Sequence, residues 1–197
     1  MARKSTTRET ILSVSAARFA KYGFEGTSLA DISNEVGIQK SALYAHFSNK
    51  NHLFLEVYEQ AHKVAANQLS EIYFSPSYSD EEKLRRIFYA SCGNESSKIF
   101  RMSVNIIPEI EEEVSRILHE FQAGTAAITK DLFRRIQARG GISDRSIDDI
   151  FDIYINFMNG VLFRIVDSAA PYPYRLDLIW QSFCEWAGME NTLGQFE

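Results

Sequence analysis

Apolar positions recur along the chain at helical intervals, and no stretch alternates in the way a half-buried strand requires. Ile11, Ser15, Phe19 and Tyr22 fall on one face of a first helix that stops at Gly23, with Gly26 close behind. Ser28 and Asp31, three positions apart, have the form of a capping box. Leu29, Ile32 and Val36 then form the buried stripe of a short second helix, and Gly37 supplies the left-handed residue that ends it. The pattern predicts a third helix from about Gln39 to His46 that buries Leu43 and Phe47. Ser48 or Asn49 then caps a fourth, running from Lys50 to about Phe74.

The turn-rich run Ser75 to Asp80 is the best candidate boundary between two halves. Beyond it, helices are predicted over about Glu81–Cys92 and Ser97–Ile106. Pro108 then opens a long helix whose stripe is Ile110, Val114, Ile117, Phe121, Ile128, Leu132 and Ile136, ending at Gly140-Gly141. Ser146 and Asp149 form a second capping-box pattern, before a helix from Ile147 to about Ala169 that is apolar on two faces. One face holds Ile147, Phe151, Tyr154, Met158, Val161 and Ile165, and the other Ile150, Ile153, Phe157 and Arg164. A helix buried on two sides needs two neighbours. Pro171 and Pro173 break the chain before a last helix from Leu176 to about Trp186.

Composition narrows the function. With 45% hydrophobic and 24% charged residues, 197 residues can bury an ordinary core. No N-terminal apolar stretch with a cleavage site appears, and the longest uncharged run of the C-terminal half, residues 153–163, is far shorter than the roughly 20 residues of a membrane span. A cytoplasmic protein without membrane contact is expected. Cys92 and Cys184 have no ligand partners at metal spacing and read as reduced core residues. His46, His52, His62 and His119 form no metal or catalytic set, and neither a phosphate-binding glycine loop nor a nucleophile elbow is present. No metal, cofactor or catalytic residue is therefore expected, and an enzyme is the disfavoured class.

The net charge of −5 is unevenly distributed. Residues 1–55 carry seven basic and four acidic side chains, and the rest carry 14 and 22, so a basic end sits on an acidic body. That arrangement suits a protein that brings one end to phosphates. Two short helices joined through Val36-Gly37-Ile38, the second with a small polar outer face, meet the needs of a helix-turn-helix. If Leu43 and Phe47 point inward, the 100° step turns Ser41 and Ala45 outward, with Lys40, Ala42, Tyr44 and His46 on the flanks. Lys40 can donate to guanine O6 or N7, Ser41 can meet either class of base, and the methyls of Ala42 or Ala45 can touch a thymine methyl. Arg3 and Lys4 within the first seven residues form a candidate arm for an adjacent groove, a solvated tail being the alternative.

Two runs carry a specific resemblance. Phe19-Ala20-Lys21-Tyr22-Gly23-Phe24-Glu25-Gly26-Thr27-Ser28-Leu29-Ala30-Asp31-Ile32-Ser33 resembles the end of the first helix and the start of the second in the TetR (tetracycline-repressor-like) family of transcriptional regulators. Gly37-Ile38-Gln39-Lys40-Ser41-Ala42-Leu43-Tyr44-Ala45-His46-Phe47-Ser48-Asn49-Lys50 is similar to that family's recognition helix and the start of its fourth. The resemblance covers about the first 55 residues. It departs from the family at Gln39, where a small hydroxyl residue is usual, and at Asn51 and His52, where acids are common.

The resemblance implies an all-α fold: an N-terminal three-helix helix-turn-helix DNA-binding domain (1–52) plus a C-terminal helical ligand-binding and dimerisation domain (53–197). It implies phosphate contacts by Thr27, Tyr44, His46 and Lys50, and base contacts by Lys40, Ser41, Ala42 and Ala45, with Ser28 completing the interface. It further implies a homodimer on a double-stranded, pseudo-palindromic operator, joined through the last two helices. Candidate contacts there are Phe157, Val161, Arg164, Ile179 and Phe183. A small-molecule effector would sit among Phe88, Cys92, Phe100, Met102, Phe121, Phe151, Tyr154 and Met158. The expected role is a repressor released by that effector. The alternative is a DNA-binding regulator controlled by a protein partner or acting without a ligand.

Overall fold

A computed structural model of the chain describes residues 7–93, 99, 102, 106–167 and 176–190, the side chains of 163–167 excepted. Arg3, Lys4, Phe100 and the Arg164 side chain, all singled out above, lie outside the described residues, as does most of the helix expected over 97–106. All regular structure among the described residues is helical: α1 (Thr7–Tyr22), α2 (Leu29–Val36), α3 (Lys40–Tyr44), α4 (Lys50–Phe74), α5 (Asp80–Cys92), α6 (Pro108–Ala138), α7 (Ile147–Asp167) and α8 (Leu176–Ala187). None is long and apolar enough to cross a membrane.

The chain divides into two compact units. The first comprises the described residues of 1–64 and 98–120, the second those of 65–97 and 121–197. In the first, the α1 stripe Ile11, Leu12 and Phe19 meets Leu29 and Ile32 of α2, Leu43 of α3, Phe47, and Leu53, Phe54, Val57 and Tyr58 of α4. Phe19 and Phe24 both present their rings edge-on to Phe54, at 5.0 and 5.2 Å between centroids. A fully buried side chain of this size contributes roughly 1.5–3 kcal/mol, and geometry of this kind adds about 0.5–1.5 kcal/mol per ring pair. Tyr22 does not extend the stripe as expected. It is 48% exposed, and its ring lies against the Arg18 guanidinium (5.1 Å) and the Lys21 ammonium (4.9 Å).

In the second unit, α5, α7 and α8 pack on one another around Leu84, Ile87, Phe88, Tyr154, Trp180 and Phe183, joined by Leu132, Phe133 and Ile136 of α6. The buried stripe of α7 is Ile150, Tyr154, Met158 and Val161. It straddles the two faces read from the sequence, because the helix is covered along one broad face and its remaining apolar residues stay half-buried on the flanks. The 75–79 connection lies within this unit and is not the boundary expected there; the division falls inside α4, after residue 64. A polar clasp closes the unit. Asp80, its carboxylate almost fully buried, accepts from Arg135 and from Arg139 (2.6 Å), and Arg139 also reaches Glu81 at 3.1 Å. Ser79 caps α5 through its hydroxyl. In line with a buried carboxylate's need for partners, removing one arginine of such a set costs more than an exposed pair would.

His62 on α4 is the buried histidine of the first unit. Its Nδ1–H donates to the Tyr58 carbonyl at 2.9 Å and its ring stands edge-on to Tyr58. Burial pulls its pKa below the ordinary 6.5, outweighing the opposing effect of that hydrogen bond. As pH falls, the unfolded chain therefore takes up the proton first, so this contribution to stability is complete above about pH 6.5 and declines on acidification below it. Urea midpoints measured from pH 7.5 to 5.5 should fall in the native chain and fall less in His62→Gln. Equal slopes in the two would place the pH dependence elsewhere.

Candidate nucleic-acid interface

Both ends of α2 are fixed by local chemistry. The Ser28 hydroxyl accepts from the Asp31 N–H (3.1 Å) while the Asp31 carboxylate accepts from the Ser28 N–H (3.1 Å) and hydroxyl (2.7 Å), the reciprocal box expected from sequence. The Ser28 hydroxyl and N–H hold the Asp31 carboxyl below its usual pKa. At the other end Gly37 adopts φ 77°, ψ 32°, and the Ile38 N–H donates to the Ser33 carbonyl at 3.0 Å. An L side chain rarely tolerates that backbone, so glycine is the residue that lets the chain reverse within two positions. Arg18 of α1 ties the same helix at both ends, to Glu35 at 2.7 Å and Asp31 at 3.6 Å. Gly26 is held by packing: a Cβ there would stand 2.3 Å from the Tyr22 carbonyl oxygen.

α3 is shorter than the expected 39–46, spanning Lys40–Tyr44. Gln39 sits at its N-cap in extended conformation and makes no side-chain cap bond. A glutamine amide in place of a small hydroxyl leaves those N–H groups to water. Leu43 and Phe47 are fully buried, whereas Lys40, Ser41, Tyr44, Ala45 and His46 are exposed and Ala42 is half-buried. The expected inward and outward faces are thus both present, and a five-residue helix presents small and polar groups to solvent over an apolar anchor.

Two of the expected phosphate contacts are placed differently from the rest. Thr27 is 1% exposed, and its hydroxyl donates to the Gly23 carbonyl at 2.9 Å, so it closes the α1–α2 turn. The Lys50 ammonium donates to the Phe24 carbonyl at 3.0 Å and lies 4.1 Å from the Phe24 ring centroid. An ammonium has three donors, so two remain for an external anion. Asn49, of the two candidates, caps α4: its Oδ1 accepts from the His52 N–H at 2.8 Å. His52 occupies the position where an acid would complete the box, and its Nδ1 accepts from the Ser48 N–H at 3.4 Å. Sequence reading missed this substitute cap, and it missed Arg8, which pairs with Glu56 of α4 and stacks 5.3 Å over Phe47. The signal for Arg8 was weak, since a lone basic residue at a helix start says nothing about a partner 48 positions away.

The remaining candidates lie mainly in the second unit. Phe88, Cys92, Tyr154 and Met158 come together in its core, with Phe121 and Phe151 half-buried against them, whereas Met102 packs in the core of the first unit. Burial pushes the Cys92 thiol up to about 12 and raises the Tyr154 hydroxyl well above its usual pKa. The Tyr154 Oη and Thr129 Oγ1 are buried without a hydrogen-bond partner among the described residues. Of the expected dimer contacts, Val161 and Phe183 are core residues of the protomer itself, because they lie on the inner sides of α7 and α8. Phe157 and Ile179 remain half-exposed, beside Leu178 at 50%.

An α2–turn–α3 pair with a buried rear and a polar front is the geometry of a helix-turn-helix protein. Residues 11–57 match the family model described as bacterial regulatory proteins, tetR family. The chain resembles that family over this segment, about a quarter of its length. It is similar to the transcriptional regulator AcrR of Shigella flexneri, with 39% identity over 64 residues. That match covers 30% of each chain, so less than a third of AcrR's length is spanned. It is also similar to IcaR of Staphylococcus aureus, the negative transcriptional regulator of the biofilm operon icaADBC, at 25% identity over 64% of this chain and 67% of IcaR. Among solved structures, the regulator FadR of Bacillus subtilis in complex with stearoyl-CoA has the same fold. Its TM-score is 0.67 at 13% identity, over 90% of this chain and 96% of that one.

The two faces of α3 predict opposite responses. Leu43→Ala should lower the unfolding free energy by about 2–5 kcal/mol through transfer and cavity terms, whereas Ser41→Ala should change it by no more than about 0.5 kcal/mol. Urea denaturation of both variants distinguishes them, and comparable losses would mean that the outer face is packed.

Proposed function

We propose that the protein is a transcriptional repressor that binds a pseudo-palindromic operator as a homodimer and is released by a small-molecule effector. The observation that carries the reading is the exposure of Lys40, Ser41, Tyr44, Ala45 and His46 on a helix whose reverse side is buried. Only an element held from behind in this way can enter a major groove about 12 Å wide. Residues 1–52 would carry this role, with Lys40, Ser41, Ala42 and Ala45 toward bases and Ser28, Tyr44, His46 and the two remaining donors of Lys50 toward phosphates. Thr27 would act indirectly, by fixing the turn before Ser28. Phosphate contacts set the register and base contacts the sequence.

Residues 53–197 would supply regulation and pairing. The half-exposed apolar side chains Phe157 and Ile179, with Leu178, are the surface available for a second copy. Operator binding by such a pair requires its two α3 helices to stand about 34–36 Å apart, one turn of duplex. The stearoyl-CoA complex of FadR, similar in fold, supports an effector for this chain too. The aromatic neighbourhood of Tyr154 is where we place it. An effector acts only through its different affinity for the DNA-competent and DNA-incompetent conformers, and tenfold release needs about 1.4 kcal/mol of such coupling.

Electrophoretic shift with the DNA beside its own gene should give a sequence-specific complex. Its affinity should fall steeply between about 50 and 200 mM salt as phosphate contacts exchange with counterions. Equal affinity for random duplex at every salt concentration would refute operator recognition.

A further inference from the structure

We propose that Tyr44 is a positioning residue for Lys40, and that the pair reads one guanine in each operator half-site. The inference rests on the DNA-binding reading above and assigns it a base and a device.

Lys40 and Tyr44 are the first and last residues of α3, four positions apart, and so lie on the same side of the helix. Both are exposed, Tyr44 at 48%, and the Lys40 Nζ stands 5.9 Å from the Tyr44 ring centroid, within the range of cation–π attraction. No carboxylate among the described residues pairs with Lys40, whereas Arg8, Arg18 and Lys63 of the same unit hold Glu56, Glu35 and Glu59. The ammonium therefore keeps its three donors for an external acceptor while its stem is confined to one side of the helix.

That confinement matters because a lysine side chain is a point charge on four rotatable bonds and loses much rotamer freedom when it is fixed on a base. An aromatic face that already favours one group of rotamers reduces the freedom left to lose. The base this serves is guanine, whose N7 and O6 are adjacent acceptors on the major-groove edge and match a donor-only group. Adenine offers a donor at the corresponding place, and would repel it. The outward neighbours of the pair, Ser41 and Ala45, are small, so the helix axis can come close enough for Lys40 to reach the base edge.

The test uses the full chain and the tightest duplex recovered from a random DNA pool, with every base pair of one half-site replaced in turn. Lys40→Met, which keeps the stem and removes the charge, should abolish the preference for guanine at one position, a loss of roughly 5- to 100-fold in discrimination, and leave the other positions unchanged. Tyr44→Phe keeps the ring and should retain that preference, with affinity lowered equally on every duplex. Tyr44→Leu should cut the guanine preference roughly two- to fivefold. An unchanged base profile in Lys40→Met overturns the proposal, as does a Tyr44→Leu variant weakened equally on all duplexes. Both positions are exposed, so thermal midpoints close to the native value should accompany these effects. Should the native chain select no sequence at all, the DNA-binding reading fails first and the inference with it, whereas a specific complex indifferent to Lys40 sinks the inference alone.

Discussion

The burial of Leu43 and Phe47 behind α3 is the constraint on which the interface depends. An isolated helix of five residues has no stability of its own, since nucleation alone outweighs what so few backbone hydrogen bonds return. Its position is set instead by two fully buried side chains that reach the cluster of Phe19, Phe24, Ile32 and Phe54. Three further ties hold the same region from outside. Arg8 stacks on Phe47 and pairs with Glu56, Lys50 binds the Phe24 carbonyl, and Arg18 grips Glu35 and Asp31 of α2. Each is a cation that joins one helix to another or to the α1–α2 turn, so much of the positive charge of this unit serves the scaffold before any phosphate is present. That lowers the number of side chains free to contact DNA and sharpens the roles of those that remain.

The second unit obeys a different logic. Its core is aromatic, with Phe88, Tyr154, Trp180 and Phe183 in mutual ring contact. Such rings supply burial without demanding one arrangement, because offset and edge-on geometries are close in energy. The hydroxyls of Tyr154 and Thr129 stand out within it as buried donors with no acceptor among the described residues. A buried polar group left in that state costs free energy that a bound acceptor would recover. Polar closure comes instead at the edge of the unit, where Asp80 meets two arginines.

The sequence was most informative where a local rule fixes a structure. The Ser28–Asp31 box, the left-handed Gly37, the start of α6 at Pro108 and the inward pair Leu43 and Phe47 all appear as their residue types require. It was least informative where the answer depends on what packs against a helix. Val161 and Phe183 sit at helical spacings that suit a dimer seam equally well, and only the placement of α5 and α8 around α7 turns them into core. Met102 belongs to the core of the first unit because residues far apart in the chain meet there, which periodicity does not report. The resemblance alone puts Thr27 at a phosphate. Its engagement with the Gly23 carbonyl reflects a turn geometry that Gly26 makes tight enough for the two to meet.

Chemical footprinting with dimethyl sulfate on a pool-selected duplex tests the central claim most directly, because the reagent methylates guanine N7 in the major groove and adenine N3 in the minor groove. A polar α3 face seated in successive major grooves should protect guanine N7 in two patches about one helical turn apart and leave adenine N3 reactive between them. Protection of adenine N3 with guanine N7 left open would contradict it, since the anchored face would then not be the one that meets the bases.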